Sequence, residues 1–229
     1  MGDVASSRSE QRLPLSRERV LRTAVAIADE HGIETVTMRR VGDELGAEAM
    51  SLYHHVANKD ALLDGAVDLV VREINEAVDE LDAGGDWQVA VRTRILAARA
   101  VLLRHRWASR LLSTRAATSP EVVRYHDRLV GLLRAGGFSF DLAHHALHAL
   151  GSRAMGFSQE LFDPGDGGSA DSLPPEVAAE LPNLVAMLSE IAHDDPASTL
   201  GWCDDQTEFE FGLDLLLDGL DRRRVATTP

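Results

Sequence analysis

Gly46 constrains the N-terminal part of this chain more than any other residue. It stands between two short stretches whose apolar residues recur four apart: Val41 and Leu45 before it, Leu52 and Val56 after it. Each pair shares one face of a helix. Thr37 is an N-cap for the first helix, and a second is expected over about Ala49 to His55. Two short helices closed on a glycine turn bury their apolar faces against each other at a steep angle. With Leu52 and Val56 turned inward, Met50, Ser51, Tyr53, His54 and His55 are left facing outward.

The rest of the chain keeps the helical period. Ser16 caps a run ending at His31-Gly32, and Ile33 to Val36 is a short connector. Asn58 caps an amphipathic run to about Leu81, and Asp82 to Asp86 is a break. Helices are expected over Trp87–His105 and Trp107–Thr114. Another follows the start signal Ser119-Pro120-Glu121 and runs to Gly136-Gly137. Ser139 caps a long helix through Phe162, and 163–174 reads as loop. Pro175–His193 is helical with a bend at Pro182, and a last helix spans Asp205–Arg223. No convincing β-strand pattern interrupts the series. The fold class is all-α, about nine or ten helices: an N-terminal three-helix helix-turn-helix domain plus a larger helical domain.

A face such as Met50–His55 suits a DNA groove. Ser51 and His54 can hydrogen-bond base edges, and Met50 can touch a thymine methyl. Tyr53 and His55 can reach phosphates, as can Thr37 and Arg39 at a helix N-terminus with free N–H groups. Lys59 is the sole lysine of the 229-residue chain and heads the next helix, where an ammonium suits a phosphate. Net charge is −14, yet residues 1–59 carry 8 Lys+Arg against 9 Asp+Glu. The acidic excess therefore lies beyond the motif. Such a body excludes a non-specific nucleic-acid coat and leaves binding to a few placed contacts. One cysteine, Cys203, excludes an intramolecular disulfide and fits a reducing cytoplasm. No run of about 18 apolar residues marks a membrane span. Residues 1–14 read as a disordered polar tail.

The stretch from Leu15 to about Ile74 resembles the N-terminal domain of TetR-family transcriptional repressors. The residues that carry the resemblance are RERVLRTAVAIADEHG, TVTMRRVGDELG and SLYHHVANKDALL. It implies that Thr37, Arg39, Ala49, Met50, Ser51, Tyr53, His54, His55 and Lys59 occupy DNA-facing positions. The expected division is a DNA-binding domain at 15–60 and a ligand-binding and dimerisation domain at 61–223. Weaker matches at 114–116, Gly137-Phe138-Ser139, Gly156 and Glu160 are similar to the tetracycline-repressor subgroup. The helices at 139–162 and 205–223 would then build a dimer four-helix bundle. In that subgroup histidines and a glutamate hold a magnesium–drug complex. Glu160 matches the glutamate, but Leu111 or Leu112 and about Ser152 fall where the histidines stand. The resemblance thus implies neither metal nor cofactor, and an effector other than magnesium–tetracycline.

Ala98, Leu102, Leu111, Leu129 and Met155, with Arg94, His126 and Gln159 as polar points, make a candidate pocket for a mid-sized, largely apolar effector. Each of the apolar residues also fits plain core. His144 and His148 share a helical face at metal-binding spacing, with no Glu or Cys near them in sequence to complete a site. The leading expectation is a cytoplasmic, homodimeric repressor, not an enzyme. It would bind a palindromic double-stranded DNA operator and be released by an unidentified small-molecule effector. Its rivals are a helical enzyme or metal carrier using His144 and His148, and a constitutive DNA-binding protein.

Overall fold

A computed structural model of the chain describes residues 14–79, 85–114, 119–156, 175–183, 185–186 and 205–226. No strand occurs among the described residues. The helices are α1 (Arg17–His31), α2 (Met38–Leu45), α3 (Ala49–Leu52), α4 (Lys59–Asp79), α5 (Trp87–Arg104), α6 (Arg106–Thr114), α7 (Pro120–Ala135), α8 (Phe140–Gly156), α9 (Pro175–Glu180) and α10 (Asp205–Ala226). A 3-10 turn at Ile33–Thr35 joins α1 to α2. The chain divides into two compact units: residues 1–73 with 101–119, and residues 74–100 with 120–229. The boundary falls within the continuous helices α4 and α5.

Two expected elements are corrected. The segment expected as a helix to His55 is α-helical only to Leu52. Beyond it, Tyr53, His54 and His55 donate to carbonyls three residues back, at 3.3, 3.4 and 2.9 Å, so the chain tightens into 3-10-type turns. Across the stretch expected to be helical from Pro175, α9 ends at Glu180 and Leu181 is non-helical. Helical backbone resumes at Pro182, so the bend expected at Pro182 is a break of one residue just before it. A proline there lacks the N–H to continue the ladder and disfavours helical backbone at the residue before it. The expected end of α8 at Phe162, the loop at 163–174 and the fourth helix beyond Asp79 lie outside the described residues.

In the first unit, α1 buries Val20, Leu21, Ala24, Ile27 and Ala28. Met38 and Val41 of α2, Leu52 of α3, Val56, and Leu62, Leu63 and Ala66 of α4 are buried in the same unit. Leu45 is half-buried. Gly46 ends α2 in the left-handed region at φ 62°. Its N–H reaches Asp43 O, and that of Ala47 reaches Gly42 O at 2.9 Å, which satisfies two terminal carbonyls. Gly42 has a different purpose. A Cβ there would stand 2.8 Å from Ala47 O and 3.3 Å from Ala49 N, so the missing side chain lets α2 and α3 approach backbone to backbone.

The core of the second unit joins Val91 and Ile95 of α5, Leu129 and Leu133 of α7, Phe138, Ala143, Ala146 and Leu150 of α8, and Phe209, Leu213, Leu217 and Leu220 of α10. Trp87 meets Phe138 edge-on, with ring centroids 4.6 Å apart. Each helix has one apolar stripe turned into this core.

Candidate nucleic-acid interface and effector pocket

The three short segments around Gly46 present the outward face that the spacing implies. Val41 and Leu52 are fully buried and Val56 is nearly so, whereas Met50 is 72% and Tyr53 45% exposed. His54 is exposed; Ala49, Ser51 and His55 are half-buried. Ser51 Oγ donates to Glu48 O at 2.6 Å, so its lone pairs face outward as acceptors. Thr37 Oγ1 accepts from Arg40 N at 3.1 Å, which leaves its O–H to donate. Arg39 is 90% exposed at its side chain and only loosely tied to Asp43 at 3.9 Å. Lys59 is exposed at the first residue of α4, just after Asn58, whose Oδ1 accepts from Ala61 N at 2.8 Å. A face of donors, acceptors, one exposed thioether and one lysine suits a groove better than a protein core.

A second polar group in the first unit was not singled out in the sequence. At the elbow between α5 and α6, His105 is buried. Its Nδ1 lies 2.8 and 3.0 Å from the Asp29 oxygens on α1, and its Nε2 lies 3.1 Å from Glu73 Oε2 on α4. Carboxylates only accept, so a ring nitrogen that carries a proton donates it to the carboxylate it faces. Trp107 donates its indole N–H to Asp29 at 2.7 Å, and Arg104 donates to Glu73. Burial pushes the Glu73 carboxyl up, but the hydrogen bonds from Arg104 and His105 outweigh it and hold the group below its ordinary range. The network thus fastens α1, α4 and the α5–α6 elbow within this unit. Its only local sign in the sequence is RHRW at the break between two helices.

The candidate effector residues are distributed unevenly. Arg94, Ala98 and Leu129 are buried in the second unit, and His126 there is exposed. Leu102 and Leu111 are half-buried in the first unit. The side chain of Met155 and the whole of Gln159 lie outside the described residues. Around Arg94 the second unit builds a polar layer from α4, α5 and α7. Arg94 lies over the Tyr125 ring, 4.7 Å from its centroid, with Nη1 4.0 Å from Asp79. Asp79 is itself hydrogen-bonded by Arg128. Asn75, fully buried, donates to Glu121 O at 3.0 Å and Glu121 Oε2 at 2.9 Å. Burial lowers the Arg94 pKa, against the pull of Tyr125 and Asp79, and raises that of Tyr125. Sequence reasoning named Arg94 but not Asn75, Asp79 or Tyr125, because their partners are set by helix packing.

Two further features belong to the second unit. A cavity of about 560 Å³ opens at Trp87, Leu132, Gly136, Asp221 and Arg224. Its cation is already engaged: Arg224 donates to Asp221 at 2.6 Å and holds that carboxyl below its ordinary value. His144 and His148 stand exposed on α8 with ring centroids 4.6 Å apart. Among the described residues no cluster of three or more His, Cys, Asp or Glu is placed to hold a metal. No described helix is long and apolar enough to cross a membrane.

Helical geometry and the outward face around Gly46 together define a DNA-binding helix-turn-helix regulator. Residues 20–66 match the model of bacterial regulatory proteins of the tetR family, and residues 81–224 match the tetracyclin repressor-like C-terminal domain. The chain belongs to the tetR family, whose members are ligand-responsive transcriptional repressors and not enzymes. It is 30% identical over 225 residues to the HTH-type transcriptional repressor DrrR1 of Streptomyces coeruleorubidus, covering 94% of this chain and 82% of that one. It is 35% identical over 124 residues to an HTH-type transcriptional regulator of Saccharopolyspora erythraea, a match that spans about half of each: 54% of this chain and 51% of that one. Among solved structures, apo ActR from Streptomyces coelicolor superposes with a TM-score of 0.72 at 30% identity, covering 94% of this chain and 99% of that chain. ActR in complex with actinorhodin gives 0.70 at 31% identity, covering 93% and 99%.

Proposed function

We propose that the protein is a cytoplasmic homodimeric repressor that binds a palindromic operator and leaves it when a small-molecule effector binds. The observation that carries this reading is the separation of roles around Gly46: Val41, Leu52 and Val56 are buried anchors, while Met50, Tyr53 and His54 point out. Thr37, Arg39, Ala49, Met50, Ser51, Tyr53, His54, His55 and Lys59 form the DNA contact. Residues 15–60 serve as the DNA-binding domain and 61–223 as the effector and dimerisation domain. Dimerisation uses the outer faces of α8 and α10, where Phe140, Phe211 and Leu215 are 70%, 62% and 54% exposed. Large apolar residues clustered in solvent mark an interface.

A two-fold dimer places two recognition segments in successive major grooves, which calls for a palindromic site. The effector sits in the second unit, near Arg94, Ala98, His126 and Leu129. It acts by binding one arrangement of the dimer better than the other, so that operator affinity falls. Actinorhodin bound to ActR supports a small-molecule effector for a chain this similar. The test is footprinting on DNA upstream of the protein's own gene at stated salt, with native protein and a Tyr53→Ala/Lys59→Ala variant. Protection by the native chain and loss of it in the variant is expected. Equal protection by both refutes the assignment.

A further inference from the structure

Arg94 is 6% exposed, and neither its Nε nor its Nη2 has a hydrogen-bond partner among the described residues. These two atoms form one edge of the planar guanidinium and present parallel N–H bonds, the fork that fits two carboxylate oxygens. The remaining nitrogen faces Asp79 at 4.0 Å, a carboxylate already bonded by Arg128. A buried cation so weakly compensated costs the fold free energy. Asn75 is buried too, and its Oδ1 accepts no hydrogen bond among the described residues, although its amide nitrogen donates to Glu121. Asn75 meets Glu121 and Arg94 meets Tyr125, four residues further along α7. The two groups thus face neighbouring turns of α7.

We propose that the effector is an organic acid, with its carboxylate held by the Nε/Nη2 edge of Arg94 and a hydroxyl or N–H donated to Asn75 Oδ1. This rests on the effector reading above and adds the ligand's charge and its second polar group. The carboxylate supplies the acceptors that the Nε/Nη2 edge lacks among the described residues, and the donor satisfies Asn75 Oδ1. The site favours a monoanion. Asp79 and Glu121 line the same layer, and a dianion such as phosphate would meet their repulsion. The Tyr125 ring is already covered by Arg94 on one face, so the acid approaches the guanidinium edge-on, in its plane.

The test is titration calorimetry of the full chain against 4-hydroxybenzoate and 6-hydroxy-2-naphthoate, each beside its carboxamide and beside the acid lacking the hydroxyl. At least one acid is expected to bind ten-fold or more tightly than its amide. Arg94→Met abolishes that preference, and Arg94→Lys, a cation without the fork, loses most of it. Asn75→Ala weakens the hydroxylated acid towards the affinity of the acid lacking the hydroxyl. Equal binding of acid and amide, no binding of either acid at millimolar concentration, or a preference that survives Arg94→Met overturns the proposal. Operator release, read on DNA selected from genomic fragments by the native protein, separates the two readings. An acid that binds through Arg94 without releasing operator leaves the site standing and removes its effector role. A neutral compound that releases native and Arg94→Met protein alike keeps the effector role and removes the acid.

Discussion

His105 Nε2 lies 3.1 Å from Glu73 Oε2, joining the α5–α6 elbow to α4 across 32 residues of sequence. The same ring holds Asp29 of α1 with its other nitrogen. His105→Phe takes from Asp29 and Glu73 the ring they share, while Trp107 keeps its bond to Asp29 and Arg104 its bond to Glu73. We expect a loss of ~1–3 kcal/mol in unfolding free energy, the usual range for orphaning buried polar groups. His105→Gln, which keeps one donor, falls between. Denaturant unfolding at neutral pH measures the order.

The Glu73 carboxyl also sets an acid limit. Its folded pKa lies below the ordinary 4.5, so the unfolded chain takes up a proton first as pH falls. Its contribution is therefore complete above about 4.5 and is lost as pH drops through the lower folded value. Melting temperature followed from pH 7 to pH 3 should fall less steeply for Glu73→Gln than for the native chain. An identical pH slope shows that Glu73 does not contribute.

Gly42→Ala tests how the reading face is held. The added Cβ meets the Ala47 carbonyl oxygen at 2.8 Å, and backbone there yields only by moving α3. Operator affinity is expected to fall ten-fold or more, with a stability loss of ~1–3 kcal/mol as for other overpacked sites. Fluorescence anisotropy with a selected operator reads the first and thermal melting the second.

Lys59→Ala removes an exposed cation at the head of α4 and no packing. A phosphate contact predicts weaker binding on every operator sequence and a salt slope smaller by about one. Met50→Ala, by contrast, should alter preference between sequences and leave the salt slope alone.

Phe211→Glu with Leu215→Glu places two charges on the exposed stripe of α10. Sedimentation is expected to report monomers, with operator binding lost and helical content kept. A dimer that survives both charges assigns the interface elsewhere.

Local features were legible in the sequence and distant ones were not. Ser16, Thr37, Asn58 and Ser139 were read as caps, and each side-chain oxygen does accept an N–H three residues on. A cap is satisfied within its own turn, so residue type and position suffice. Gly46 was read as the turn for the same reason. Gly42 was passed over, because its role depends on how closely α3 comes. His105 bonds to Asp29 from 76 residues away, and Asn75 to Glu121 from 46. Such pairs follow from which helices pack and at what register, which a single sequence does not encode locally. Arg94 was picked out as a polar residue on an apolar helix, while its unsatisfied edge emerged only with the packing of α4 and α7.

The recognition segment is one α-helical turn followed by 3-10 turns, too short to be stable alone. Leu52, Val56 and the bare backbone at Gly42 hold it in place, and all three are turned inward. Met50, 72% exposed, contributes almost nothing to the fold. Anchoring and reading are therefore assigned to different side chains. On the proposed DNA contact, change at Met50 or His54 retunes sequence preference with little change in foldability. That makes the segment an evolvable module, with selection free to explore its outer face while the inner one is kept fixed.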